Sequence, residues 1–223
     1  MTTTDDTLAQ MREIISRYPH PRSAVMPLLH LAQSRDGAVT PEAIDEIADV
    51  LTMSRAEITG VASFYTMYLR QPGGRYRVGV CINSLCAILG GDEIWDSLVD
   101  YVGVGNHGTT DDGLVSLERI ECQAACTHAP VMTLNWEFLD NQTPESAREV
   151  VDKVRAGQPV ASTRGPKVIP EISAVGRSLA GVDDVLDDTD DGLDALTLAG
   201  LTLARELGHS LPADHPSASD EEV

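Results

Sequence analysis

Tyr76-Arg77-Val78-Gly79-Val80-Cys81-Ile82-Asn83-Ser84-Leu85-Cys86 is the stretch on which the fold turns. Its first six residues alternate as a strand, and a Cys-x4-Cys pair begins at the strand's last residue. Downstream, Trp95, Leu98, Val99 and Val102 recur at helical spacing. Leu114 to Glu121 then reads as a second strand, followed directly by Cys122-Gln123-Ala124-Ala125-Cys126. Strand, helix, strand predicts a β-α-β unit. Parallel pairing places the C-terminal ends of both strands at one sheet edge, where α/β folds put their sites. The two cysteine pairs are therefore expected to converge, although 35 residues separate Cys86 from Cys122.

Four thiols brought together in a reducing compartment point to metal, because soft sulfur ligands select zinc or iron–sulfur centres. Structural zinc uses Cys-x2–4-Cys knuckles, and the first gap, at the wide end of that range, argues only mildly against it. Two cysteines to each iron suit a [2Fe–2S] cluster, although a plant-type ferredoxin is excluded because Leu89 stands where its third cysteine would be. A Rieske centre would need two histidines, and only His128 and His107 lie in this half of the chain. Spacing alone leaves an iron–sulfur centre foremost, with zinc, a redox disulfide and plain buried thiols still open.

Outward from this stretch, the Gln71-Pro72-Gly73-Gly74 cluster marks a turn where the period changes. Before it, Val25, Leu28, Leu29 and Ala32, then Ile44, Ile47, Ala48 and Leu51, then Ile58, Val61, Ala62 and Tyr65 each make one helical stripe, with a weaker Leu8, Met11, Ile15 stripe ahead of them. Thr40 before Pro41 and Ser54 with Glu57 mark two of the helix starts. After the second cysteine pair, Val131 to Leu134 and Phe138 to Leu139 form an expected hairpin. Thr143-Pro144 then opens a helix with the stripe Ala147, Val150, Val151 and Val154. We thus expect a helical domain over 1–72 and a small mixed α/β domain over 73–157. Residues 158–223 carry 13 acidic and 4 basic residues, six of the acids clustered between Asp183 and Asp191. That composition predicts a disordered extension from Gln158, with one short helix carrying Leu193, Leu196, Leu203 and Leu207 and interrupted at Gly200.

The chain has 223 residues and a formal charge of −19, which sets nucleic acid and anionic membrane surfaces aside as partners. No apolar run reaches the ~18 residues a membrane span needs, so any membrane link is expected to pass through another protein. Four cysteines are far too few for a disulfide scaffold, and the N-terminus has no basic and apolar leader, so a cytoplasmic protein is expected. Gly103-x-Gly105-x-x-Gly108 matches a dinucleotide fingerprint only as a string. It follows a helix and leads into a strand, so it is read as a loop. Phe64, Tyr65 and Tyr68 sit at helical spacing and are expected in the core, with a docking face as the alternative.

The two cysteine motifs, Cys81-Ile82-Asn83-Ser84-Leu85-Cys86 and Glu121-Cys122-Gln123-Ala124-Ala125-Cys126-Thr127-His128-Ala129-Pro130, resemble those of the 24-kDa iron–sulfur subunits of NADH–quinone oxidoreductase. Gly60-Val61-Ala62-Ser63-Phe64-Tyr65-Thr66-Met67-Tyr68 resembles a third signature of that family, in the same order. The resemblance covers about residues 8 to 156. It implies an α/β chain: an N-terminal helical bundle followed by a thioredoxin-like [2Fe–2S] ferredoxin domain, with Cys81, Cys86, Cys122 and Cys126 holding one cluster. It further implies a non-catalytic electron carrier of the respiratory complex, docked beside the flavin-bearing, NADH-oxidising subunit. FMN and NADH would then sit on that partner alone, and the chain would reach the cytoplasmic face of the membrane through the rest of the complex.

Related hosts are an NAD-linked hydrogenase or formate dehydrogenase. A zinc-stabilised interaction module is the alternative from another class. A thiol–disulfide oxidoreductase would want Cys-x-x-Cys, which neither pair supplies. The family has Leu-Gly where this chain has Gln123-Ala124, and alanine at a positive φ would cost about 1 kcal/mol. Pro130 stands where a thioredoxin-like domain holds a cis-proline, and both isomers stay open.

Overall fold

The computed structural model describes residues 4–182, 189–190 and 195–209. The described residues up to Asp190 form one compact unit. Its helical part comprises α1 (Thr4–Ser16), α2 (Val25–Asp36), α3 (Pro41–Leu51) and α4 (Arg55–Phe64). The expected start signals operate as hydrogen bonds. The Thr40 hydroxyl accepts from the Ala43 N–H, and Ser54 with Glu57 forms a reciprocal capping box. The four stripes meet in a core built on Met11, Ile14, Leu28, Leu29, Ile47 and Ile58.

The second part begins with β1 (Tyr76–Cys81) and continues through the short turn α5 (Ser84–Cys86), α6 (Asp92–Val102), β2 (Val115–Ile120), β3 (Met132–Leu134), β4 (Glu137–Leu139) and α7 (Pro144–Arg155). The sheet order is β2-β1-β3-β4, with β1 parallel to β2 and the other pairs antiparallel. One face carries Val78, Val80, Val115, Leu117, Met132 and Leu134 and packs on α6 and α7 through Ile94, Leu98, Ala147 and Val151. The other face is polar. Arg77 pairs there with Glu118 at 2.7 Å, both largely buried, beneath the Leu69–Gly73 turn that leads out of the helical part. Gly79 lies between Glu118 and Thr133 in the sheet, where a Cβ would stand 2.6 Å from Thr133 Oγ1.

An aromatic cluster joins the two parts. His30 of α2 lies 4.9 Å from the Tyr68 ring and 5.9 Å, edge-on, from Trp136 in the β3–β4 turn. The Tyr68 hydroxyl donates to the Met26 carbonyl, so Tyr68 is core as expected. Phe64 is not. It is 78% exposed and Tyr65 is partly exposed, because α4 ends at Phe64 and the chain turns extended at Tyr65, which breaks the helical spacing.

The expected disorder from Gln158 does not hold over 158–182. This stretch crosses from the sheet back to the helices: the Thr163 N–H donates to the Phe138 carbonyl, Arg164 pairs with Asp140, Asn135 donates to the Pro170 carbonyl, and the Ile172 N–H donates to the Arg75 carbonyl. It includes the two-residue β5 (Gly165–Pro166), which pairs with β6 (Thr189–Asp190), and α8 (Ile172–Leu179), which packs on α2. Val160, Ile169, Val175 and Ala180 are buried. The physical reason is that widely spaced apolar residues gain burial from surfaces the earlier segments already present, which an average over an acidic stretch conceals. The rest of the expected tail is covered only by α9 (Ala195–Glu206), which belongs to a second unit and runs unbroken through Gly200, with Leu203 and Leu207 exposed. Leu193 and much of the acidic cluster lie outside the described residues.

Truncation at Gly157 should therefore destabilise the chain. Losing those buried side chains, each worth about 1–3 kcal/mol, should lower the melting temperature by roughly 10 °C or more, as read by thermal unfolding. Stability should also fall in acid through His30. Burial holds its imidazole down at about 4, and its Nδ1 has no hydrogen-bond partner. A group with a lowered folded value stabilises fully above its unfolded value near 6.5 and loses that contribution as pH drops toward 4. The loss is on the order of 3 kcal/mol. The urea midpoint of wild type should fall more steeply than that of H30L across this window.

Candidate metal centre

Cys81 is the last residue of β1, and its N–H donates to the Val131 carbonyl at 3.1 Å. The Cys81↔Ile120 register brings the end of β2 alongside, so Cys122 emerges from the sheet edge next to Cys81. Cys86 closes the α5 turn and is buried with Cys81, Ala125 and Val131. Cys126 opens a single 3-10 turn, Cys126–His128. Convergence of the two pairs, expected from parallel pairing alone, is thus what the topology produces.

The sulfurs are grouped in pairs. Cys122 Sγ lies 3.7 Å from Cys126 Sγ. Two sulfurs on one tetrahedral metal at about 2.3 Å would be separated by about 3.8 Å, so this pair already has the bite of a single metal ion. Cys86 senses both loops. Burial pushes its thiol up to about 11, the nearby Cys81 and Cys126 thiols add to the rise, and the Val131 N–H, which favours the thiolate, opposes it. Cys126 is likewise raised, chiefly by Cys122 and to a lesser degree by Cys81. Cys86 and Cys126, whose ionisation their neighbours disfavour, become thiolates more readily when a bound cation compensates, as at a metal site.

A [2Fe–2S] cluster takes two cysteines per iron. The donor set and its pairing fit the two-iron group.

The loops around the sulfurs are tightly specified. Gly91, where the chain enters α6, has Cys81 O and Cys86 O only 2.7 and 2.8 Å from where a Cβ would stand, so no side chain fits behind the first loop. Ala124 has φ +56° and donates its N–H to Cys122 Sγ at 3.4 Å. The Ala129–Pro130 bond is cis. Beside Cys86, Leu85, Ile88 and Leu89 are exposed, Ile88 by 79%, giving the centre an apolar rim.

The remaining candidates lie elsewhere. Gly103 is the left-handed cap of α6, and Gly105 to Gly108 fold onto the outer edge of β2, where the Leu117 N–H donates to Gly108 O; this is a loop, as expected. His107 in it lines a cleft of about 270 Å³ with Arg77, Thr109 and Glu118. Reading the sequence did not identify Gly91, the Val131 N–H, or the bond from Asn83 to Glu121 at 2.7 Å. Only Glu121, directly preceding a cysteine, offered a signal.

Residues 11–155 match the family described as thioredoxin-like [2Fe-2S] ferredoxin. The chain is 52% identical over 206 residues to the E subunit of the NADH-quinone oxidoreductase of Mycobacterium tuberculosis, covering 90% of this chain and 81% of that one. It is 35% identical over 175 residues to NADH-quinone oxidoreductase subunit 2 of Thermus thermophilus, covering 78% and 92%. Among solved structures, an NAD+-reducing [NiFe]-hydrogenase in the air-oxidized state shares the fold at a TM-score of 0.54 and 19% identity. That match covers 60% of this chain and 23% of the longer hydrogenase chain. With its sulfur pairs at the end of a parallel β-α-β unit and these relatives over most of its length, the chain belongs to the thioredoxin-like [2Fe–2S] ferredoxin family, among the iron–sulfur subunits of NADH–quinone oxidoreductase.

Proposed function

We propose that this chain is a non-catalytic electron carrier in an NADH–quinone oxidoreductase, with one [2Fe–2S] cluster held by Cys81, Cys86, Cys122 and Cys126. It exchanges single electrons with the flavin of a neighbouring NADH-oxidising subunit, which alone holds FMN and NADH. The observation that carries this reading is the meeting of four cysteines from two loops, with Cys122 and Cys126 at a metal-chelating 3.7 Å and Cys86 perturbed by thiols of both loops. A [2Fe–2S] group bound there supplies one-electron chemistry, with a potential set by charge, burial and hydrogen bonds to its sulfurs.

The residues of this chain do the rest. Cys81, Cys86, Ala125 and Val131 exclude water from one side of the site. The Val131 and Ala124 N–H groups donate to Cys86 and Cys122 and so stabilise charge on sulfur. Leu85, Ile88 and Leu89 on one side, with Phe64 and Tyr65 at the end of α4, offer exposed apolar surface for a protein partner. No helix among the described residues is long and apolar enough to cross a membrane. In this reading the chain is held at the cytoplasmic face through the rest of the complex. Support for the respiratory host, over a hydrogenase, comes from the relative at 52% identity.

Full-length chain purified without oxygen should contain about two iron and two acid-labile sulfide. C86S should lose most of both, and the lone chain should not oxidise NADH with an artificial acceptor. Zinc as the dominant metal, or NADH turnover by the lone chain, would overturn the proposal. A second outcome concerns Ala124, whose positive φ stands where the resemblance expects glycine. A124G should relieve about 1 kcal/mol of strain and raise the melting temperature by roughly 2–4 °C, with unchanged iron content.

A further inference from the structure

We propose that Asn83 and Glu121 form a brace between the two cysteine loops and act as positioning residues for the metal centre, an inference that rests on the iron–sulfur reading above. The β1–β2 ladder joins the loops at their base and ends in a long bond from the Ile82 N–H to the Ile120 carbonyl at 3.4 Å. Past that point one chain runs on to Cys86 and the other to Cys126, with Cys86 packed beside Ala125. Asn83 Nδ2 donates to Glu121 Oε2 at 2.7 Å from one loop to the other.

The local geometry of Asn83 shows that its side chain has been diverted from its usual local use. Asn83 stands at the N-cap of the α5 turn, where an asparagine side chain ordinarily accepts a hydrogen bond from a backbone N–H two or three residues on. It makes no such cap bond here. The side chain reaches the other loop instead. On that loop the Glu121 carbonyl accepts from Gln123 Nε2 at 2.9 Å, which closes the first turn around Cys122. Asn83, Glu121 and Gln123 therefore form one connected series, and its middle member directly precedes a cysteine.

Asn83 and Glu121 are both largely outside the apolar core, so their bond contributes little to global stability. Its leverage is positional. The bond links the residue three before Cys86 to the residue directly before Cys122, and so fixes one cysteine loop against the other. Outer bonds of this kind typically change metal retention on the order of tenfold. Glu121 also places a carboxylate beside the site that accepts the electron, which should hold the potential down.

The test uses the full chain with its cluster rebuilt anaerobically from iron and sulfide, in N83A, E121A, N83A/E121A and E121Q. Three quantities are read: the rate of iron release to a chelator, the midpoint potential, and the melting temperature of the metal-free chain. Each alanine variant should release iron on the order of tenfold faster, and the double variant no faster than the faster single. Metal-free melting temperatures should stay within ~2 °C of wild type. E121Q keeps an acceptor for Asn83, so its release rate should match wild type while its midpoint moves upward. Wild-type release rates in both single variants, multiplicative effects in the double, or an E121Q that behaves as E121A with an unmoved midpoint would overturn the brace. A wild-type chain that takes up zinc without sulfide would overturn the iron–sulfur reading, and the brace as stated with it.

Discussion

The parallel register of β1 on β2 is the constraint on which the rest of the molecule depends. Cys81 opposite Ile120 puts the two cysteine loops at one edge of the sheet, although 35 residues separate Cys86 from Cys122. A slip of one residue would turn Val78, Val80 and Leu117 away from α6 and α7 and present Arg77, Gly79 and Glu118 to an apolar core. The hydrophobic pattern that builds the core therefore also aims the sulfurs. Stability and site geometry are fixed by the same alternation.

That alternation leaves a polar sheet face, and the helical part solves the problem it poses. Burial lowers the Arg77 guanidinium from its usual range, Glu118 pulls the other way, and Nη1 finds no partner. A buried pair of this kind is costly to make and more costly to break, because removing one partner leaves an uncompensated charge. The Trp136 ring, 5.3 Å from the guanidinium, is also the ring that His30 meets edge-on. The pair is thus fastened on one side by the strand register and on the other by α2. The 158–182 stretch closes the same arrangement from outside, bonding Arg75, Asn135 and Phe138 before it lays α8 on α2.

What was legible in the sequence follows from what is periodic. β1 begins and ends where alternation does, and α3, α4 and α7 begin at Thr40, Ser54 and Thr143, where cap chemistry is local. The cysteine loops were legible because parallel pairing is a topological rule and needs no side-chain coordinates. Phe64 misled because helical spacing holds only inside a helix, and nothing local announced that α4 stops there. Val160, Ile169 and Val175 were invisible for the opposite reason: each is alone in its stretch and is buried by surfaces more than a hundred residues away or on another element. Asn83 and Glu121 belong to the same class, since their contact exists only once the register is set.

On the proposed reading, the electrostatics of Cys86 and Cys126 also bear on why the backbone of the two loops is so tightly specified. Cys86 is raised by burial and by its neighbours together, so the protein alone favours neutral thiols, and each metal ion bound must displace protons. A floppy loop would relax by moving its sulfur away and forfeit the site. Gly91, packed against two carbonyls of the first loop, and Ala124, held at positive φ against Cys122, remove that freedom at a local conformational cost. The cost is borne by the sheet beneath, whose register leaves the loops no other place to go.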